Sequence, residues 1–165
     1  MYQRLLKHTA IIMISVEVVS EEKNWSKKIK KKNIFFNSIC KAFPKKYQFN
    51  NKKIFLTLSL SNNKNIKKLN KKFRKKNKPT DILSFPFQKN PKIRNKSYLG
   101  DIMISYNFID KPKSQKLKSF NEKLIKIFIH GFLHLLNFDH TKNKDYKRML
   151  KEEELIYSTV ISKFD

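Results

Sequence analysis

Glycine is nearly missing from this chain of 165 residues, which holds only Gly100 and Gly131. No Gly/Ser-rich or proline-rich stretch divides the sequence, and no repeat of solenoid length is visible, so one domain with one core is expected over residues 1–165. Cysteine is reduced to Cys40, which excludes an internal disulfide, points to a reducing cytoplasm, and suits a small buried apolar position. No segment approaches the roughly 18 uninterrupted apolar residues of a membrane span, so no membrane association is expected. Near the start, Arg4 and Lys7 precede the apolar stretch Ala10–Val16, but Glu17 interrupts it and no small-residue cleavage site follows. Met13 is an alternative start, and residues 1–12 are then an extension outside the fold.

Acidic residues are also scarce: 13 Asp and Glu stand against 38 Lys and Arg, a formal net charge of +25. Two causes account for the excess. Lysine, asparagine, isoleucine and phenylalanine are abundant together while alanine and glycine are rare, the pattern an AT-biased coding sequence produces. The remaining charge makes a field that attracts phosphates and weakens with salt, as nucleic-acid partners require.

What is present reads as alternating strands and helices. Ile11–Val19 is rich in β-branched residues and predicts a strand. Asn24 is placed to cap a helix with apolar positions Trp25, Ile29, Phe36, Cys40 and Phe43, which Pro44 closes. Lys53–Leu60 alternates as a strand, with Ile54, Leu56, Leu58 and Leu60 on one face. A lysine-rich helix from Asn63 to about Lys72 should turn Ile66, Leu69 and Phe73 inward. Ile82–Phe87 is a short strand that Pro86 confines to an edge or an end, and Tyr98–Ser105 is another. Between them Gln88–Ser97 reads as a polar loop. A short helix over Asn107–Leu117 and a longer one over Phe120–Leu136 follow, the latter packing through Leu124, Ile127, Phe128 and Leu135. Thr141 or Asn143 would cap a last helix whose apolar edge runs through Tyr146, Met149, Leu150, Ile156, Val160 and Phe164. The fold class is α+β: a small mixed sheet of about four strands packed by helices.

Three of the four histidines fall in His130-Gly-Phe-Leu-His134-Leu-Leu-Asn-Phe-Asp-His140. Positions four apart on a helix share a face about one turn apart, so His130 and His134 can reach one ion. Continued helix would carry His140 about 15 Å along the axis from His130, beyond reach. The chain must break after Leu136, and Asn137 is the residue type, after glycine, that most readily adopts the left-handed conformation ending a helix. Three histidines around one Zn2+ leave a fourth position for water or substrate, the arrangement of catalytic zinc. Imidazole suits nickel and copper as well.

The spacing matches the metzincin proteases, but Gly131 stands where their general-base glutamate belongs, which removes their route to peptide hydrolysis. Glycine inside a helix costs about 1 kcal/mol relative to alanine, so its retention at Gly131 points to something close by that a side chain would block. For Gly100 a packing role alone is an equal reading.

The histidine segment resembles the H-G-x-L-H-L-x-G-Y-D-H signature of the YbeY endoribonucleases, bacterial ribosomal-RNA maturation factors. Two further blocks resemble that family in the same order: Leu69-Asn70, Phe73-Arg74 with Lys78–Phe87, and Leu99-Gly-Asp-Ile-Met-Ile-Ser105. Together they cover roughly residues 12–160. Asn137 and Phe138 replace the family's usual glycine and tyrosine. The resemblance implies a single-strand-specific, zinc-dependent endoribonuclease acting in 16S rRNA 3′-end maturation and late-stage 70S ribosome quality control. It implies His130, His134 and His140 as ligands of one Zn2+, Arg74 and His130 as catalytic residues, and rRNA within the ribosome or a small-subunit precursor as partner. A guanidinium at Arg74, one of four arginines among 34 lysines, suits a phosphate's two oxygens. The general base stays open: Asp81, Asp101 and Asp139 are candidates for it, or for orienting a ligand histidine. A second class of function, a non-catalytic ribosome-associated RNA-binding protein stabilised by zinc, would call for a fourth protein ligand.

Overall fold

A computed structural model describes residues 14–164. The strand expected from Ile11 therefore begins, among described residues, at Ile14, and the suggested extension over residues 1–12 lies outside them. Four strands form one sheet in the order β1-β2-β4-β3: β1 (Ile14–Ser20), β2 (Lys53–Ser61), β3 (Ile82–Pro86) and β4 (Lys96–Ser105). The first, second and fourth run parallel, while β3 lies antiparallel on the outer side of β4, so the sheet is mixed as expected. The alternation in β2 is realised: Ile54, Leu56, Leu58 and Leu60 are buried on the face that the main helices cover.

Six α-helices accompany the sheet among the described residues: α1 (Trp25–Lys28), α2 (Lys32–Lys41), α3 (Asn63–Arg74), α4 (Tyr106–Ile109), α5 (Leu117–Leu135) and α6 (Asn143–Ile161). The first expected helix is two. Ile29 turns extended (φ −126°, ψ 107°), and Asn24 makes no side-chain cap. A continuous helix would set Lys27 against Lys31 and Lys28 against Lys32, like charges one turn apart. The break separates them, while Trp25 anchors the short turn by donating its indole N–H to the Ser61 carbonyl at 3.0 Å. The helix expected over Asn107–Leu117 stops at Ile109, because Pro112 has no amide hydrogen and disfavours helical backbone at Lys111. Phe73, expected inward, is 56% exposed, and Tyr146, Leu150 and Phe164 are exposed too. Neither Thr141 nor Asn143 caps α6; Lys142 takes that place without a side-chain bond.

The core joins the sheet's covered face to α2, α5 and α6 through aromatic contacts such as Phe36–Phe128 and Phe43–Phe132, with ring centroids 5.1 and 4.9 Å apart. Cys40 lies within it, and burial pushes its thiol pKa up, keeping it neutral. Both glycines mark close approaches. At Gly131, α5 crosses the sheet so tightly that a Cβ would sit 2.6 Å from Ile82 Cδ1 and 3.2 Å from Ile102 Cγ2. At Gly100 the backbone is left-handed (φ +135°) and a Cβ would overlap the Phe85 carbonyl oxygen. There β4 carries one residue more than β2: Phe55 faces Tyr98 but Thr57 faces Asp101, the signature of a β-bulge.

Candidate metal centre

The segment after α5 turns as its sequence requires. Asn137 is left-handed (φ +68°); its N–H donates to the His134 carbonyl and that of Phe138 to the Leu133 carbonyl, both at 3.0 Å. These are the paired bonds of a Schellman stop, and they reverse the chain within two residues. The Asn137 side chain adds a bond to Asn90 Oδ1 at 2.8 Å, pinning the turn to the loop between β3 and β4. Asp139 then shapes the return: its carboxylate accepts from the His140 amide at 2.7 Å and the Thr141 hydroxyl at 2.9 Å. The His140 amide first, then that hydroxyl, hold its pKa below the usual carboxylate range.

The fold-back brings His130, His134 and His140 together, with one nitrogen of each within 4.8 Å of the others. The Nε2 atoms of His130 and His134 are 3.0 Å apart. Each of those rings has its other nitrogen engaged: Glu153 Oε1 lies 2.5 Å from His130 Nδ1, and the Phe138 carbonyl 2.9 Å from His134 Nδ1. Both partners are acceptors, so each Nδ1 carries the proton and each Nε2 presents a lone pair. Two nitrogens facing one another at this distance share either a proton or a metal ion. Nitrogen ligands at 2.0–2.1 Å from tetrahedral zinc are about 3.3 Å apart, close to the separation present here. Burial first, then the neighbouring His130, lowers the pKa of His134, which keeps that ring neutral as a ligand must be. The donor set therefore fits a divalent metal. Among the described residues the group contains these three side chains and no fourth, and Cys40 is elsewhere in the core.

A cavity of about 610 Å³ opens over the three rings. Arg74 and Asp81 line it with the histidines and Asp139, and all five residues of β3 form one wall. Arg74 arrives from the last turn of α3, which Lys75 ends in left-handed conformation (φ 58°). The buried Asn70 fixes the following loop by donating to the Lys78 carbonyl at 2.7 Å. Among the described residues no carboxylate pairs with Arg74, so its guanidinium is unspent. Asp81 accepts from the Thr80 hydroxyl and the Ile82 amide at 3.0 and 2.9 Å. Asp101 stands on the sheet's other face, bonded to the Tyr98 hydroxyl at 2.9 Å, and lines a separate cavity. Among the described residues none of the three aspartates touches an imidazole nitrogen, and the carboxylate that does is Glu153 of α6. Sequence reasoning missed it. Met149, Glu153, Ile156 and Val160 share a helical face, and all but Glu153 are apolar and buried, so the spacing held the signal inside a run of three glutamates.

Fold and site together define a class: proteins that hang a three-histidine centre on a single interrupted helix beside the outermost strand of a mixed sheet. Within it, the chain belongs to the YbeY family, whose model, described as Endoribonuclease YbeY, matches residues 12–161. It is 62% identical to the Endoribonuclease YbeY of Pelagibacter ubique over 151 residues, covering 92% of this chain and 99% of that protein. The Endoribonuclease YbeY of Buchnera aphidicola is 43% identical over 79% of this chain and 81% of its own length. The solution structure of TM1509 from Thermotoga maritima shares the fold, with a TM-score of 0.54 over 90% of this chain and 91% of that one, at 23% identity. Membership supports an endoribonuclease role, that of a hydrolase cutting RNA. No described helix is long and apolar enough to cross a membrane.

Proposed function

We propose that this protein is a single-domain, zinc-dependent endoribonuclease of the cytoplasm, specific for single strands, acting in 16S rRNA 3′-end maturation and late-stage 70S ribosome quality control. Its partners in this reading are rRNA and the ribosome or a small-subunit precursor. The observation that carries it is the convergence of three histidines, two with their Nε2 atoms opposed at 3.0 Å, in the cavity that Arg74 lines.

His130, His134 and His140 would hold one Zn2+, which when bound supplies Lewis acidity toward a phosphate oxygen and makes water a stronger acid. Glu153 and the Phe138 carbonyl keep the first two rings in the ligating tautomer. Arg74 grips the scissile phosphate through two N–H groups and stabilises the charge that gathers on it during attack. Asp81 and Asp139 are the carboxylates that line the cavity and serve as candidates for proton transfer, while Asp139 also fixes the backbone of His140. Asp101, on the far face, lines the separate cavity and not this one. A zinc that only stabilised structure would call for a fourth protein ligand, which the described group lacks.

The test compares zinc-loaded protein with its His134→Ala variant on single-stranded and duplex RNA. Cleavage confined to single strands and abolished in the variant is expected. Equal cleavage by both proteins would refute the reading. Metal analysis of protein purified without a histidine tag, expected to return one zinc per chain, identifies the ion.

A further inference from the structure

We propose that Phe73 is a stacking platform for single-stranded RNA, taking the nucleobase beside the phosphate that Arg74 holds. The inference rests on the endoribonuclease reading and adds the contact that positions the strand. Phe73 sits one residue before Arg74 in the last turn of α3 and is 56% exposed. Exposure of one apolar side chain is ordinary and carries nothing alone. Its surroundings carry the inference. Phe73 and Phe85 line both the 610 Å³ cavity of the histidines and a second cavity of about 420 Å³ over the open face of the sheet. The two rings meet edge to face, with centroids 5.2 Å apart at 63°, and form the ridge between the cavities, so Phe85 braces the exposed ring.

Basic side chains crowd the surface at the ridge, and a carboxylate stands beyond it on the sheet. Lys71, Lys72, Arg74, Lys75, Lys76 and Lys78 are all exposed around Phe73, and the Lys72 ammonium lies 5.3 Å from its ring centroid. Six cations in eight residues make a track for phosphates. The second cavity instead holds the Asp101 carboxylate and the Thr57 side chain. A carboxylate repels phosphate and accepts the N–H edges of bases. A strand passing the ridge therefore keeps its backbone on the lysines and turns a base inward, over Phe73. Every base has a π-face, so such stacking tolerates any sequence.

The test is Phe73→Trp. The chain's one tryptophan, Trp25, is 0% exposed, so a new indole at position 73 is the one that RNA can reach. Titration with a short single-stranded 2′-O-methyl oligoribonucleotide, verified intact afterwards, should quench its emission. An abasic strand of the same length should bind through charge and leave emission unchanged. Phe73→Leu, which keeps apolar bulk without a π-face, should bind the base-bearing strand roughly tenfold more weakly, and Phe73→Trp should match the unaltered protein. No quenching by the base-bearing strand, or a leucine variant binding as well as phenylalanine, overturns the inference and leaves the ring to a protein partner. Cleavage by the unaltered protein, measured alongside, shows whether the reading of the reaction stands independently.

Discussion

Glu153 is the residue whose removal most directly tests how the centre is held. Its carboxylate lies 2.5 Å from His130 Nδ1, and the two side chains are 27% and 30% exposed. Water reaches both, so the contact contributes little as an ion pair. Its effect is on the imidazole: the carboxylate holds the proton at Nδ1 and leaves the lone pair at Nε2, the atom opposed to His134. Without that acceptor the ring divides between tautomers and loses its fixed orientation. Outer-shell partners of this kind typically contribute 10–100-fold in metal affinity, about 1.4–2.8 kcal/mol. Glu153→Gln retains an acceptor oxygen and should lie near the lower end; Glu153→Ala retains none and should lie near the upper. Competition for zinc against a chromophoric chelator, at one pH near neutral, reads both values, and denaturant unfolding of the metal-free proteins checks that the fold is unchanged. An alanine variant that holds zinc as tightly as the unaltered protein, or the reverse order of the two variants, would refute the reasoning.

The two glycines should respond unequally to alanine. At Gly100 left-handed strain and collision with the Phe85 backbone each cost about 1–3 kcal/mol, a sum of about 2–6 kcal/mol. At Gly131 a helix-propensity gain of about 1 kcal/mol offsets a clash mainly with the movable tip of Ile82, so the net change should stay within about 2 kcal/mol. Equal losses in urea unfolding would contradict this. Asp110 should add an acid-sensitive increment. Burial raises its carboxyl, but the Lys28 ammonium at 3.1 Å, the Tyr106 hydroxyl and the Gln115 amide outweigh that and leave its pKa below normal. A depressed pKa stabilises the fold above the unfolded value, about 3.9, and the increment disappears as pH falls through the folded one. The advantage of the unaltered protein over Asp110→Asn should therefore shrink in melts taken through that acid range; a constant gap would rule the linkage out.

The parts legible in the sequence were those with a local physical rule. Alternation marked β2, and four-residue spacing with Asn137 marked the metal segment, down to its left-handed stop. The break at Ile29 was not legible, because Trp25, Ile29, Phe36 and Cys40 fit one uninterrupted helical face and no Gly or Pro interrupts them. The bond from Trp25 to Ser61, distant in sequence, holds the short turn in place. Phe73 misled for the opposite reason: its spacing is that of a core residue, but it rests on Phe85 of the outermost strand and stays 56% exposed. For Glu153 the spacing marked only its place on the buried face of α6; that this face meets α5 at His130 is a tertiary fact beyond any local pattern.

An unpaired strand margin normally invites a second copy of the chain to add its own strand, the first step toward aggregation. The outer side of β3 is such a margin among the described residues, yet all five of its residues border the cleft above the histidines. A chain bearing +25 repels its own copies, and within β3 the Ile82 N–H donates to Asp81 while Pro86 has none, so such pairing is opposed twice over. Charge that looks like coding bias thus also works as a guard, keeping self-assembly away from the margin that borders the histidine cavity.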